Sequence, residues 1–204
     1  MAIAERKFSM KKIILATQNP HKLTEIRSVT AHLPLKIISL TDLGYDSDIV
    51  EHGATLEENA MIKATIIFHQ FGLPVIGEDT GLEVYALNME PGVNTARYAG
   101  VHKNAEDNMD KLLLQLKQYE NRNARFRTCI AYTDGLVEWV VEGIVEGNIA
   151  AKKSGSGGFG YDPIFIPEGY DETFAQLSMD IKNKISHRAR AMVQCIERLN
   201  LKYL

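Results

Sequence analysis

Apolar residues change their spacing repeatedly along this chain. Residues 12–16 form a short apolar run that reads as a buried strand, and Leu23, Ile26 and Val29 then recur at helical spacing. Residues 35–40 read as a second strand, followed by an acidic, irregular stretch over 41–54. Thr55 with Glu58 three positions on is a capping box. The helix it opens places Met61, Ala64 and Phe68 on its core face and stops at Gly72, with Pro74 just beyond. Residues 75–77 lead into Glu78-Asp79-Thr80-Gly81, so two acids close a buried strand, and Leu82, Val84 and Ala86 alternate as the next one. Residues 91–100 read as a loop. Asn104 with Asp107 starts a helix whose core face includes Met109, Leu112, Leu113 and Leu116. Two strand-like segments, 125–133 and 136–145, flank Asp134-Gly135, a hairpin signal. Residues 180–185 suit a short helix, and Ser186 caps a last helix that packs Met192, Val193, Ile196 and Leu199. Strands alternating with helices, with a hairpin inserted, predict an α/β class with a mixed sheet.

Composition narrows this picture. The 204 residues are 45% hydrophobic and 24% charged, enough for a sizeable core, and suit a single domain over 11–204 preceded by a short extension over 1–10. A net charge of −3 disfavours a polymeric nucleic-acid partner but leaves room for a small anionic one. Cys129 and Cys195, both in apolar segments and without metal-ligand spacing, are expected to be reduced and buried. The N-terminus lacks the apolar core of a signal peptide, and no apolar run is long enough to span a membrane. These features predict a cytoplasmic protein.

Four groupings carry candidate chemistry. In Thr17-Gln18-Asn19-Pro20-His21-Lys22, Asn19 suits an N-cap and Pro20 the first helical position, so Lys22 falls where the helix dipole is already positive. It is either a solvated lysine or, with the free amides, one wall of an anion site. The last helix repeats the oddity with His187 and Arg188 directly after Ser186, and Lys182 upstream. Residues 154–163 form a glycine-rich loop without the Walker pattern. Its glycines allow close backbone approach, Phe159 offers a ring for stacking, and Asp162 can accept a hydrogen bond from a ring N–H. Finally, Asp79 beside a Thr-Gly pair suits a metal ligand or base, or an Asx turn, and Glu51 lies upstream in the acidic loop. Lys63, mid-helix, would by default be a surface lysine.

Taken in order, these segments resemble the inosine/xanthosine triphosphate pyrophosphatase family, also called the Ham1-like or non-canonical purine NTP pyrophosphatases. The likeness runs from Ile13 to about Met192. Thr17–Lys22 is similar to the family's Thr-Gly-Asn-x-x-Lys, with Gln18 where glycine is usual. Glu58-Asn59-Ala60-Met61-Ile62-Lys63-Ala64 matches its Glu-Asn-Ala-x-x-Lys-Ala segment. Glu78-Asp79-Thr80-Gly81-Leu82 is a conservative form of Asp-Asp-Ser-Gly-Leu, residues 91–98 resemble its arginine loop, and 157–163 and Ser186-His187-Arg188 match unchanged.

The resemblance implies an elongated two-lobed α/β fold, a long mixed sheet flanked by helices, and an active-site cleft between the lobes. It further implies a homodimer and Mg²⁺-dependent hydrolysis of ITP, dITP or XTP to the monophosphate and pyrophosphate. On that footing Thr17, Gln18, Asn19, Pro20, His21, Lys22 and Lys63 are expected on the triphosphate, and Asp79 and Glu51 on the metal. Asp79 would also orient or deprotonate water, with Thr80 on phosphate. Phe159, Gly160, Tyr161, Asp162, Lys182, His187 and Arg188 would surround the base. A pyrophosphatase for other modified or standard nucleotides, and a non-catalytic nucleotide sensor, are the rival expectations.

Overall fold

The computed structural model describes residues 10–201. The expected extension over 1–10 therefore lies, Met10 apart, outside the described residues. Six strands form one sheet in the order β2-β1-β3-β4-β5-β6. They are β1 (Lys11–Ala16), β2 (Leu35–Ser39), β3 (Val75–Val84), β4 (Asn123–Thr133), β5 (Glu138–Ile149) and β6 (Phe165–Pro167). β1 pairs in parallel with β2 and β3, and the remaining neighbours are antiparallel, so the sheet is mixed as expected.

Five α-helices flank it: α1 (Pro20–Thr30), α2 (Leu56–Phe71), α3 (Ala105–Gln115), α4 (Met179–Ile185) and α5 (His187–Arg198). Their starts follow local chemistry. The Asn19 side chain accepts from the His21 and Lys22 amides, Thr55 and Glu58 complete both halves of the capping box, and Ser178 and Ser186 cap α4 and α5. α2 ends at Gly72, whose φ of 63° closes the helix in the left-handed region.

Alternation along β1 assigns the two sheet faces. Ile13 and Leu15 pack with Ile76, Ile130 and Tyr132 beneath Ile26 of α1 and Ala191, Met192 and Cys195 of α5. Ile14 and Ala16 pack with Val75, Cys129 and Ala131 beneath Leu56, Ala60, Ala64 and Ile67 of α2. A third cluster under α3 joins Leu82, Val84 and Phe126 to Phe165 and Phe174.

Four local expectations are corrected. Residues 75–84 form one strand rather than two, because β4 pairs with them continuously from Val75↔Thr133 to Val84↔Ala124. Asp79 is thus mid-strand, not at a strand end. Residues 134–137 form a longer connection than a two-residue hairpin, with Asp134 Oδ1 accepting from the Leu136 and Val137 amides. In α2 the buried face is rotated toward Leu56, Ala60 and Ile67, leaving Met61 and Phe68 half-buried, because Asn59 and Lys63 point inward. In α5, Val193 is 50% exposed. Cys129 and Cys195 are buried free thiols as expected, and burial pushes both up to about 12.

Two glycines let helices lie directly on the sheet. A Cβ on Gly77 would stand 2.0 Å from the Ala60 carbonyl oxygen, and one on Gly143 would stand 2.1 Å from that of His187. The first contact sets α2, with Asn59 and Lys63, over β3. Replacing Gly77 by Ala is therefore expected to lower stability by about 1–3 kcal/mol. Urea unfolding should show a reduced midpoint with an unchanged slope; an unchanged midpoint would mean that α2 can lift at no cost.

Candidate functional site

The chain order places a crevice before any side chain is considered. From β1 the chain crosses through α1 to β2 on one side, and later through α2 to β3 on the other. The carboxyl ends of β1 and β3 therefore flank a topological switch point, where ligands bind in open α/β sheets. Pairing between β1 and β3 stops at Ala16↔Gly77, so residues 78–80 continue past the end of β1. A cleft of about 670 Å³ opens there. All seventeen residues expected at the site line it: Thr17 through Lys22, Glu51, Lys63, Asp79, Thr80, Phe159 through Asp162, Lys182, His187 and Arg188.

Successive residues of β3 serve opposite faces. Asp79 points toward α2, where its Oδ1 accepts from Lys63 Nζ at 2.8 Å and its Oδ2 from Asn59 Nδ2 at 3.4 Å. Lys63 also reaches Glu51 Oε1 at 3.3 Å. It is thus buried between two carboxylates, not a surface lysine. Burial opposes its charge, but Asp79 and Glu51 outweigh that and raise its pKa. Burial raises the pKa of Asp79 despite Lys63 and Lys22, so further positive charge there would favour its ionised form. Two carboxylates in an open cleft, with space for phosphate oxygens and water, fit a hard divalent cation. A group of three His/Cys/Asp/Glu side chains with ligand atoms within 4.8 Å of one another lies elsewhere, at Glu57, Cys129 and Glu142. It already encloses a cation, because Arg127 hydrogen-bonds both Glu57 and Glu142.

Glu78 points to the other face. Its Oε1 accepts from Arg188 Nε and Nη2, each at 3.1 Å, and from the Thr80 hydroxyl at 2.5 Å. Its Oε2 lies 2.6 Å from Lys22 Nζ, an ion-pair contact without hydrogen-bond geometry. The lysine at the start of α1 thus has a carboxylate partner. Glu25, on the buried side of α1, pairs with both Arg188 and Lys182. Burial alone would raise both acids; Lys22 and Arg188 hold Glu78, and Arg188 and Lys182 hold Glu25, below the usual carboxylate range.

At the far wall Asp162 Oδ2 accepts from the Phe159 amide at 2.7 Å and from Lys182 Nζ at 2.5 Å, bracing the glycine-rich loop. His187 stacks on Phe126 with ring centroids 4.6 Å apart. Its buried Nδ1 has no partner among the described residues, and burial, reinforced by Arg188 and Lys182, holds its pKa well below 6.5. The imidazole is neutral and retains one unused polar atom.

Sequence reasoning passed over three residues that build this site. Glu25 leaves no signal, being one of several acids on a helix. Asn59 lay inside a quoted motif without a role; its Oδ1 accepts from the Gly53 amide at 2.8 Å, linking the acidic loop to Asp79. Thr128 could have been found only from strand register, which sets it opposite Thr80 with hydroxyls 2.6 Å apart. Gln18, the departure from the usual glycine, donates to the Ser47 carbonyl at 3.0 Å and ties the 17–22 segment to the acidic loop.

Proteins of known sequence and structure resemble this chain over nearly its whole length. A protein of Flavobacterium johnsoniae called dITP/XTP pyrophosphatase is 45% identical over 92% of this chain and 97% of its own. A Porphyromonas gingivalis protein of the same description is 48% identical over 91% and 95%. The solved Ham1 protein of Staphylococcus aureus superposes with a TM-score of 0.84 at 39% identity, covering 93% of this chain and 98% of its own. A HAM1 protein of Coxiella burnetii gives 0.85 at 38% identity, covering 94% and 99%. The model of the Ham1 family matches residues 13–198.

The neutral buried His187 makes stability depend on pH. Its native pKa is depressed, so its contribution is full above the unfolded value near 6.5 and is lost as pH falls toward the native value. Thermal midpoints measured from pH 8 to pH 5 should fall more steeply for the parent protein than for His187→Gln. Equal slopes would mean that the native histidine takes up the proton as readily as the unfolded chain does.

Proposed function

The chain belongs to the Ham1 family, and from that premise we propose that it hydrolyses non-canonical purine nucleoside triphosphates (dITP, XTP and ITP) to the monophosphate and pyrophosphate with Mg²⁺. The observation that carries this reading is a single cleft lined by two chemically different sets of groups. One set is Lys22 at the start of α1 with the Glu51–Lys63–Asp79 cluster, suited to phosphates and a cation. The other is the Phe159 ring with Lys182, His187 and Arg188, suited to a base.

Attack on the α-phosphorus makes pyrophosphate the leaving group, so cationic groups belong on the β- and γ-phosphates. Lys22 and Lys63 take that part, aided by the positive end of the α1 dipole. Asp79, held in place by Asn59 and Lys63, orients or deprotonates the attacking water; Thr80, fixed by Glu78 and Thr128, faces phosphate. Mg²⁺ bound by Asp79 and Glu51 would supply charge against the phosphate oxygens and acidify a water. The protein's share is positioning and charge stabilisation.

Hypoxanthine and xanthine present a 6-oxo acceptor where adenine presents a 6-amino donor. Lys182 and Arg188 are donors only, and neutral His187 can donate from one nitrogen. Such a wall suits the oxo group and leaves adenine's donor unpaired, a mismatch that can reach about 10⁴-fold. We assign this activity to one domain spanning 11–204, acting as a cytoplasmic homodimer.

Two measurements test the reading. Pyrophosphate release should be fast for dITP, XTP and ITP, slow for GTP and dUTP, and negligible for ATP, and a chelator should abolish it. Comparable cleavage of ATP would remove the donor argument, and binding of dITP without product would make the protein a sensor. Asp79→Asn should cut turnover by about a hundredfold or more while changing nucleotide affinity much less. Near-parental turnover in that variant would end Asp79's assigned role.

A further inference from the structure

His21 is grouped by its motif with residues expected on the triphosphate, but its ring makes a different contact. It lies nearly parallel to Phe159, with an interplanar angle of 13° and centroids 5.1 Å apart. We propose that His21 and Phe159 are the two jaws of an aromatic clamp that takes a purine ring between them, with His21 favouring purines over pyrimidines. This rests on the nucleotide reading of the cleft and assigns His21 to the base rather than to phosphate.

The jaws differ in how they are mounted. His21 sits in the first turn of α1, where its amide donates to Asn19 Oδ1 at 2.9 Å and Pro20 precedes it. Phe159 stands between Gly158 and Gly160, at φ of 69° and 64°, and its amide is tethered to Asp162. One jaw is therefore fixed by a helix and the other hangs on two adaptable glycines. A flat ring inserted between two others needs about 7 Å, twice the carbon contact distance. The closed pair does not admit a ring, so the clamp must open, by rotation about Gly158 and Gly160.

Lys182 Nζ and Arg188 Cζ stand over the same Phe159 ring, 4.9 and 5.5 Å from its centroid, so the donors assigned to the base adjoin this jaw. Stacking tolerates any base, but a bicyclic purine covers more of both jaws than a pyrimidine. Pairing the jaws across the cleft also couples base insertion to the segment that carries Lys22.

The test compares the parent protein, His21→Ala and His21→Phe. His21→Ala should raise KM for dITP about tenfold, the scale of one base–aromatic stack, with a much smaller change in kcat. It should raise KM for dUTP far less and leave inhibition by inorganic tripolyphosphate unmoved. His21→Phe should restore KM for dITP. An unchanged or lower KM in His21→Ala, as expected of a ring that merely covers Phe159, would overturn the clamp. So would a parallel loss of tripolyphosphate inhibition, which would return His21 to the phosphates. Calorimetric binding of dIMP to the three proteins reads the clamp without turnover. A parent protein that binds dIMP but does not cleave dITP would therefore refute the hydrolytic reading alone. Failure of the parent to bind dIMP, or equal binding by the parent and His21→Ala, would refute the clamp.

Discussion

Arg188 is among the most buried side chains of the protein, and much of the site is arranged around its charge. An uncompensated guanidinium in that position would be strongly destabilising, so two carboxylates must be brought to it. Glu25 comes from α1 and Glu78 from β3, 163 and 110 residues away in sequence. Each of those acids then engages a second cation, Lys182 and Lys22 respectively. Lys182 also holds Asp162, so three cations and three anions tie α1, β3, α4, α5 and the glycine-rich loop together. Replacing this network with apolar residues of similar volume would preserve packing, but not the position of any donor facing the cleft; the network supplies geometry more than net stability.

The remaining acids are arranged by the same logic with a different result. Asp79 and Glu51 share Lys63, yet burial leaves Asp79 with a raised rather than a depressed pKa. Its ionised form is under-compensated while that of Glu78 is over-compensated. This separates an acid locked into the ion-pair network from one that further positive charge in the cleft would ionise. Asn59 bridges Asp79 to the loop beside Glu51 and keeps the two acidic segments in register.

Much of this was legible in the sequence where the signal is local. Asn19, Thr55, Asn104 and Ser186 cap their helices as their residue types demand, and Gly72 terminates α2. The cleft-lining residues were legible as ordered motifs, which the structure places at the β1–α1 junction, inside α2 and β3, in the glycine-rich loop and at the α4–α5 junction. What escaped depends on distant pairing. Gly77, Glu78, Asp79 and Gly81 are poor strand residues, and only the uninterrupted partnership with β4 makes 75–84 one strand. Lys63 reads as a surface residue until helix–strand contact at Gly77 lowers it beside Asp79. Glu25 is an ordinary helical glutamate until Arg188 arrives from the far end of the chain.

The continuity of β3 has a further consequence. Glu78 and Asp79 differ by one methylene and are adjacent, and only the two-residue period of the strand sends one to α5 and the other to α2. Their identities are a matter of parity. A one-residue slip of β3 against β4 would put Asp79 under Arg188 with Thr80 beside Lys63, or Glu78 beside Lys63 with Gly77 under Arg188. The antiparallel register of a ten-residue strand is thus the record of which acid is which, and its accuracy limits the chemistry as strictly as any side chain in the cleft.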